Sequence, residues 1–185
     1  PYVDTNLEII QGNLLPQNSY TNYQLTKDWL EDINEYNGEV KWEASKDEID
    51  VEGRCIGGCM DVLQNLFATK FDGTKDFIER YKEDGIIWFF DNFAMSAENF
   101  YRTLLQMKYA DYFKYTKAVL LGRVLFESSD TGMTYKEALE LALDDIPYIY
   151  NADIGHVSPK MTLINGAKMH LSYKDHKGKI TFELK

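Results

Sequence analysis

The sequence contains no stretch of about 18 or more uncharged apolar residues, so nothing in it predicts a segment that spans a bilayer. Positive charge is also scarce, because 20 Lys and Arg face 30 Asp and Glu and give a formal net charge of -10. A polyanion would on average be repelled by such a chain. The composition therefore argues against nucleic acids and anionic membranes as partners.

Cysteine is nearly absent, with Cys55 and Cys59 as the two thiols of the chain. Two cysteines do not make a disulfide framework. Their spacing is not that of a zinc knuckle, and no second Cys or His pair completes a set of four ligands. The sequence therefore predicts no metal site. It favours two small buried thiols in a reducing compartment, which indicates the cytoplasm.

The 185 residues, of which 44% are hydrophobic, suffice for one ordinary domain or at most two small ones. The two parts of the chain differ in pattern. Residues 1–50 are interpreted as a connection with an irregular excursion, because 11–23 are rich in Asn, Gln and Tyr. The acidic stretch 43–52 is predicted to be solvated. Residues 51–185 have the tighter pattern of a folded domain.

Within 51–185, apolar runs alternate with stretches of helical spacing. Thr74, Ser96 and Thr134 are predicted N-caps, the last in a capping box with Glu137. The C-terminal segments alternate with period two and predict a hairpin that turns at 175–178. Together these patterns predict an α/β domain with a mixed sheet and a C-terminal β-hairpin. Strands are predicted at 39–42, 53–58, 86–90, 118–121, 147–150, 167–173 and 179–184, and helices at 59–67, 74–81, from 96 and from 134.

His156 and Asp91 are the candidate catalytic residues. His156 follows a short apolar strand and Gly155, in a loop position where α/β folds present reactive groups. It is interpreted as a general base or as a loop histidine that bonds to backbone. Asp91 closes the apolar run 86–90, so it is expected at the rim of the sheet. It could orient a histidine, as the acid of a triad does, or form a turn or helix cap.

Other polar groups near turns are weaker candidates. Gly57 and Gly58 precede a predicted helix, and they either allow a ligand close to the backbone or simply form a tight strand-to-helix turn. The glycine pattern is not a P-loop, because Gly-Lys-Ser/Thr is missing. No serine stands in a nucleophile-elbow context, and Ser128, Ser129 and Ser158 are interpreted as loop serines. His170 and His176 are expected to be structural or solvated.

Four segments stand out in order along 51–185. They are 53–59 with Ala68-Thr69, the strand 86–91 that ends in Asp91, Leu120-Leu-Gly-Arg123, and Gly155-His156 followed by 162–167. In their order and spacing these segments resemble the C-terminal half of the LD-carboxypeptidase family of serine peptidases, over about residues 51–185. That family includes muramoyl-tetrapeptide carboxypeptidases and microcin C immunity peptidases.

The resemblance implies a swivelling β/β/α-type domain that contributes the histidine and the acid of a Ser-His-Glu triad, with no metal or organic cofactor. His156 matches the histidine and Asp91 the acid. The serine of the family lies in an N-terminal nucleophile domain that is not in this sequence. We therefore expect an isolated domain of a longer hydrolase that cleaves murein-type L,D-peptides and is inactive alone. Its expected partners are that nucleophile domain, a peptide substrate and a second copy in a homodimer.

Two positions depart from the pattern of the family. Asp91 stands where the family usually has glutamate, so its carboxylate must lie closer to the imidazole or reach it through water. Asn165 stands where the family often has proline. The first departure favours a rival interpretation, in which the site has decayed and the domain binds peptides or acts as a scaffold. A purely structural dimerisation domain is a third alternative.

Overall fold

The computed structural model describes the backbone of residues 6–10 and residues 41–157 and 160–184 in full. Among these residues, eight strands form one sheet and four helices pack against it. The strands are β1 Asn6–Ile10, β2 Glu43–Ala44, β3 Glu48–Cys59, β4 Ile86–Asp91, β5 Thr116–Gly122, β6 Tyr148–Ala152, β7 Lys168–Lys174 and β8 Lys177–Glu183. The helices are α1 Met60–Leu63, α2 Thr74–Arg80, α3 Ala97–Tyr109 and α4 Tyr135–Leu143.

The sheet is mixed, with the strand order β1-β8-β7-β3-β4-β5-β6-β2. Its centre, β3 to β6, is parallel throughout. The hairpin of β7 and β8 adds antiparallel pairs beside β3, with β1 beyond it, and β2 pairs antiparallel with β6 at the other edge. The predicted α/β class, the mixed sheet and the C-terminal hairpin are confirmed.

The central strands are buried on both faces, as the continuous apolar run 86–90 predicts. Trp88 and Phe90 of β4 face a core that is shared with α3 and α4. Ile87 faces the opposite core, which contains Trp42 and the inner residues of β7 and β8. This double burial leaves the ends of β4 as the places where a polar side chain can meet solvent.

Two of the three predicted helix caps are confirmed. Ser96 accepts a hydrogen bond from the Asn99 amide, and Thr134 forms the predicted capping box with Glu137. The predicted cap at Thr74 is wrong, because the N-cap of α2 is Gly73. Here the side chain of Asp72 accepts from the Thr74 amide and satisfies this helix end instead.

The helix predicted at 59–67 is shorter than expected. Only Met60–Leu63 is α-helical, and the chain continues in turns that leave Ala68 with a φ of 62°. The Ala68 amide is bonded by the Asp72 carboxylate and the Tyr112 hydroxyl, so side chains replace the continued helix as partners. Sequence periodicity does not show side-chain partners of this kind, least of all Tyr112, which is 44 positions away.

Most side chains of the acidic stretch 43–52 are exposed, as predicted, but strands that were not predicted lie within it. Glu43–Ala44 is β2 and β3 begins at Glu48, with Ile49 buried among charged neighbours that point outward. The alternation of charged and apolar residues is the period-two pattern of a half-buried strand. A strand is predicted at 39–42, but Lys41 and Trp42 are not in strand conformation and precede β2.

The C-terminal hairpin turns at Asp175 and His176, whose φ angles of 50° and 61° are those of a tight two-residue turn. This turn is shorter than the predicted turn at 175–178, so β8 begins at Lys177.

The irregular segment predicted at 11–23 and Ser158 lie outside the described residues. The boundary between 1–50 and 51–185 stays a prediction. No helix in the described part of the chain is long and apolar enough to cross a membrane.

Candidate active site

The candidate site lies at the edge of the sheet where the four parallel strands end. β3 ends at Cys59, β4 at Asp91, β5 at Gly122 and β6 at Ala152. Cys59 and Asp91 are direct partners in the β3–β4 register, and His156 follows β6 in the next loop. Ligands of open α/β sheets bind at this carboxyl edge, so the fold gathers these side chains where chemistry is common.

Each carboxylate oxygen of Asp91 contacts a different nitrogen of His156. Oδ2 of Asp91 meets Nδ1 of the imidazole, and the other carboxylate oxygen, Oδ1, accepts a hydrogen bond of 3.2 Å from the His156 amide. The carboxylate thus holds both the ring and the backbone of the histidine. Because Nδ1 faces Asp91, Nε2 lies on the opposite edge of the ring, and the imidazole side chain is 28% exposed. The ring also packs on Phe93, with centroids 5.0 Å apart.

Gly155 allows this short approach. Its φ is +91°, and a Cβ built there would overlap Oδ1 of Asp91. A glycine therefore serves two purposes here, because it relieves backbone strain and leaves room for the carboxylate. The shorter acid reaches the imidazole directly, without a bridging water.

A residue forced into the backbone conformation of Gly155 costs about 1–3 kcal/mol. Replacing Gly155 with alanine is expected to lower the free energy of unfolding by more than this strain alone, because the added methyl group would also overlap the Asp91 carboxylate. The matched control is Gly132→Ala, because Gly132 has a φ of +85° and open space around its Cβ position. Urea unfolding of the 185-residue chain measures both changes. Equal losses in the two variants would contradict the contact between Gly155 and Asp91.

A buried polar chain holds the loop that carries His156. The guanidinium of Arg123 donates to Oδ1 of Asp153 and to the carbonyl of Val157, both at 3.3 Å. Asp153, only 1% exposed, also accepts from the indole of Trp42 at 3.1 Å. None of these bonds could be predicted from the sequence, because they join residues far apart along the chain. The family-like segment Leu120-Leu-Gly-Arg123 was the one signal that included Arg123.

Asp61 holds the other side of the site. Its carboxylate accepts from the amides of Phe93 and Ala94 at 2.9 and 3.0 Å, so it fixes the turn directly after Asp91. The thiol of Cys59 also lies 3.7 Å from Oδ2 of Asp61. Asp61 was not a candidate from sequence, since its partners are about thirty residues away along the chain and only the fold brings them close.

The electrostatics of the site are dominated by burial and by negative charge. Burial raises the pKa of Asp91 above its ordinary value, and the neighbouring His156 opposes that rise. Burial and the carboxylates of Asp91 and Asp61 raise the pKa of Cys59, so the thiol stays protonated.

The two candidate glycines have different surroundings. The amide of Gly57 donates to the side chain of Asn165 at 2.9 Å, and the Asn165 amide group returns a bond of 3.2 Å to the Gly57 carbonyl. A Cβ at Gly57 would overlap the Phe89 carbonyl oxygen, so close strand pairing requires this glycine. Gly58 is half-buried beside Leu63. A substrate-binding role for Gly57 and Gly58 stays a prediction.

The remaining polar candidates have structural partners. His170 pairs with Asp50 across β7 and β3 at 2.6 Å, and Nδ1 of His176 lies 3.1 Å from the Trp42 carbonyl. The hydroxyl of Ser129 donates to Glu98 at 2.6 Å. These contacts agree with the structural interpretation of both histidines and of this loop serine.

Comparisons with known proteins define the class. The family model described as the LD-carboxypeptidase C-terminal domain matches residues 52–171. The chain therefore belongs to the LD-carboxypeptidase family of serine peptidases, as its sequence motifs predicted, and it corresponds to the C-terminal domain. A search among curated proteins gave no match.

Several solved structures share this fold. Muramoyltetrapeptide carboxypeptidase from Oxalobacter formigenes is 25% identical with a TM-score of 0.61, over 77% of this chain and 50% of that one. The microcin C7 self immunity protein MccF, in complex with glutamyl sulfamoyl guanosine, is 24% identical with a TM-score of 0.63, over 85% and 46%. An MccF-like protein from Streptococcus pneumoniae in complex with AMP is 23% identical with a TM-score of 0.61, over 80% and 45%. The chain thus spans about half the length of the structures that it matches.

Proposed function

We propose that this chain supplies the histidine and the acid of a Ser-His-Asp triad in a serine-type LD-carboxypeptidase. The observation that carries the proposal is the contact of the Asp91 carboxylate with Nδ1 of His156 at the carboxyl edge of the parallel strands. A carboxylate on Nδ1 fixes the tautomer in which Nε2 can accept a proton. A base without a nucleophile cannot transfer an acyl group, so the serine comes from another domain.

The mechanism follows from the two nitrogens of the ring. Nε2 of His156 takes the proton of the serine hydroxyl as its oxygen attacks the substrate carbonyl, and Asp91 stabilises the imidazolium that forms. The proton then passes to the leaving amine, which departs and leaves an acyl-enzyme. Water deprotonated by the same nitrogen attacks the ester, and the proton returns to the serine as the shortened peptide leaves.

Aspartate in place of glutamate is compatible with this role. A side chain one methylene shorter needs a shorter path to the imidazole, and Gly155 gives that path by leaving room beside Oδ1. The amide of His156 adds a second hydrogen bond to the same carboxylate. These two features support an active triad, and they argue against the alternative of a decayed, non-catalytic peptide-binding or scaffolding homologue.

The names of the solved relatives support the proposed substrate class. One solved relative is named a muramoyltetrapeptide carboxypeptidase, and MccF is described in complex with glutamyl sulfamoyl guanosine. We assign to the parent protein the cleavage of an amide bond in murein-type L,D-peptides, as in cytoplasmic peptidoglycan recycling. A peptidyl-nucleotide of the microcin type is the second substrate to test.

We also propose the nucleophile domain of the same protein as the partner of this domain. In this arrangement residues 51–185 form the C-terminal domain and residues 1–50 join it to the nucleophile domain. Val62 and Leu66, which follow the end of β3, are 58% and 42% exposed, so apolar surface is available near that edge. The same surface could serve a homodimer. The net charge of -10 gives no support to nucleic-acid or anionic-membrane partners.

The 185-residue chain alone is expected to show no turnover of an L,D-linked tetrapeptide, whereas the full-length protein with its nucleophile domain should release the C-terminal D-residue. Amino-acid release measured by chromatography compares the two at equal concentration. Turnover by the chain alone would refute the split triad. No turnover by the full-length protein, when its Asp91→Glu variant is active, would favour the non-catalytic alternative.

A further inference from the structure

Cys59, Asp91 and His156 bring three different metal-binding groups together at the candidate site. One ligand atom of each residue, the thiol sulfur, a carboxylate oxygen and a ring nitrogen, lies within 4.8 Å of the other two. The three residues come from the ends of β3 and β4 and from the loop after β6. This convergence is a property of the fold, because the residues are separated by more than thirty positions in sequence.

The three groups suit a thiophilic divalent cation. Zinc in proteins takes thiolate, imidazole and carboxylate ligands at about 2.0–2.3 Å, in a tetrahedron whose ligands are about 3.5 Å apart. The fourth position would hold water or a substrate group, as in sites with three protein ligands.

The surroundings of the three residues also favour a cation. Asp61 adds a second carboxylate, with Oδ2 lying 3.7 Å from the Cys59 sulfur, and its oxygens are fixed by the amides of Phe93 and Ala94. Arg123, the nearby cation that holds the His156 loop, is itself bonded to Asp153. Fixed negative charge beside a set of ligands increases its affinity for divalent ions.

We propose that Cys59, Asp91 and His156 form a reversible binding site for Zn²⁺ or a similar thiophilic cation. On binding, the thiol of Cys59 releases its proton to solvent, and the metal replaces the contact between Asp91 and His156. A second consequence rests on the proposed function: the bound metal would occupy the acid and the base of the triad, so it would inhibit the parent enzyme.

The test is a titration of the 185-residue chain with Cd²⁺ in the presence of a phosphine reductant. Cadmium bound to a thiolate gives an ultraviolet charge-transfer absorption, and competition with Zn²⁺ gives the zinc affinity. We expect one equivalent of Cd²⁺ to produce the absorption. The Cys59→Ala variant should lose it, and His156→Gln should keep it with an affinity at least about tenfold lower.

Cys55→Ala is the matched control, because Cys55 lies on the same strand but is buried, with its pKa raised to about 12 by desolvation. It should bind Cd²⁺ as the unmodified chain does. Circular dichroism checks that each variant is folded, and Cys59→Ser replaces Cys59→Ala should the latter not fold. An absorption that survives the loss of Cys59, or none at millimolar Cd²⁺, would overturn the proposal.

These experiments measure metal binding and catalysis separately. Cd²⁺ absorption needs no nucleophile domain, so it can succeed even where the full-length protein proves inactive. Conversely, Zn²⁺ could inhibit an active parent enzyme equally with and without Cys59. That result would leave the peptidase proposal standing and would overturn the inhibitory site.

Discussion

Replacement of His156 with alanine in the full-length protein is expected to lower kcat/KM for an L,D-linked tetrapeptide by about 10⁴-fold or more. The imidazole is the group that takes the serine proton, and Asp91 on its Nδ1 has no function without it. Asp91→Asn should cost nearly as much, because an amide can donate to Nδ1 and so favour the wrong tautomer. Initial rates of D-amino-acid release measure both variants.

His170→Ala is the matched control for this experiment. His170 is also paired with an aspartate, Asp50 at 2.6 Å, but it lies in β7 with a half-exposed side chain. Its loss should leave kcat/KM within about twofold, since exposed ion pairs contribute little. A His156→Ala variant that keeps its rate would show that His156 is not the base, whatever its contact with Asp91.

Replacement of Trp42 with alanine is expected to lower the free energy of unfolding of the chain by about 3–5 kcal/mol, the usual loss for a large buried aromatic residue. Trp42 is fully buried and lies directly on the backbone of Gly178, where a Cβ would overlap its ring. Its indole also donates to the buried Asp153. The variant thus creates a cavity and removes one partner of a buried carboxylate.

Urea unfolding followed by circular dichroism measures this loss. Phe71→Ala is the control, because Phe71 is 76% exposed and its removal should change stability by less than about 0.5 kcal/mol. Trp42→Phe should fall between the two, since it keeps much of the volume but cannot donate to Asp153. A loss below about 1 kcal/mol for Trp42→Ala would contradict the packing seen around Gly178.

Loss of the Trp42 side chain should also weaken the support of the loop that carries His156. Asp153 accepts from Trp42 and from Arg123, and Arg123 bonds to the carbonyl next to His156. The segment before β2 therefore supports the loop that presents the imidazole. In sequence this residue belongs to the part interpreted as an interdomain connection, and only the fold relates it to the site.

The sequence was most informative where local rules decide structure. The apolar run 86–90 predicted a strand covered on both faces, and Thr134 with Glu137 predicted a helix start, because both patterns act over a few residues. It was wrong at Thr74, where Asp72 two residues earlier bonds the start of the helix instead. Over 43–52 the predicted exposure is largely correct, but the sequence did not show the neighbouring strand that buries Ile49.

The metal-binding groups gathered at the candidate site illustrate what local spacing cannot show, and the prediction of no metal site stays a prediction. A search for cysteine and histidine pairs at short spacing predicts no site, since it compares residues that are close in sequence. Cys59, Asp91 and His156 meet only because three parallel strands end at one edge. Asn165, which replaces a proline common in the family, likewise finds Gly57 as its partner only in the folded sheet.

By itself, the sequence determined the α/β class, the terminal hairpin, the family and the two residues to examine, because periodicity, caps and ordered motifs are local properties of the chain. The tertiary structure alone decided that a shortened acid reaches the imidazole directly, that Gly155 makes room for it, and that Arg123, Asp153 and Trp42 support the loop. Those contacts join residues far apart along the chain, and their geometry depends on how strands pack rather than on which residues are neighbours in sequence.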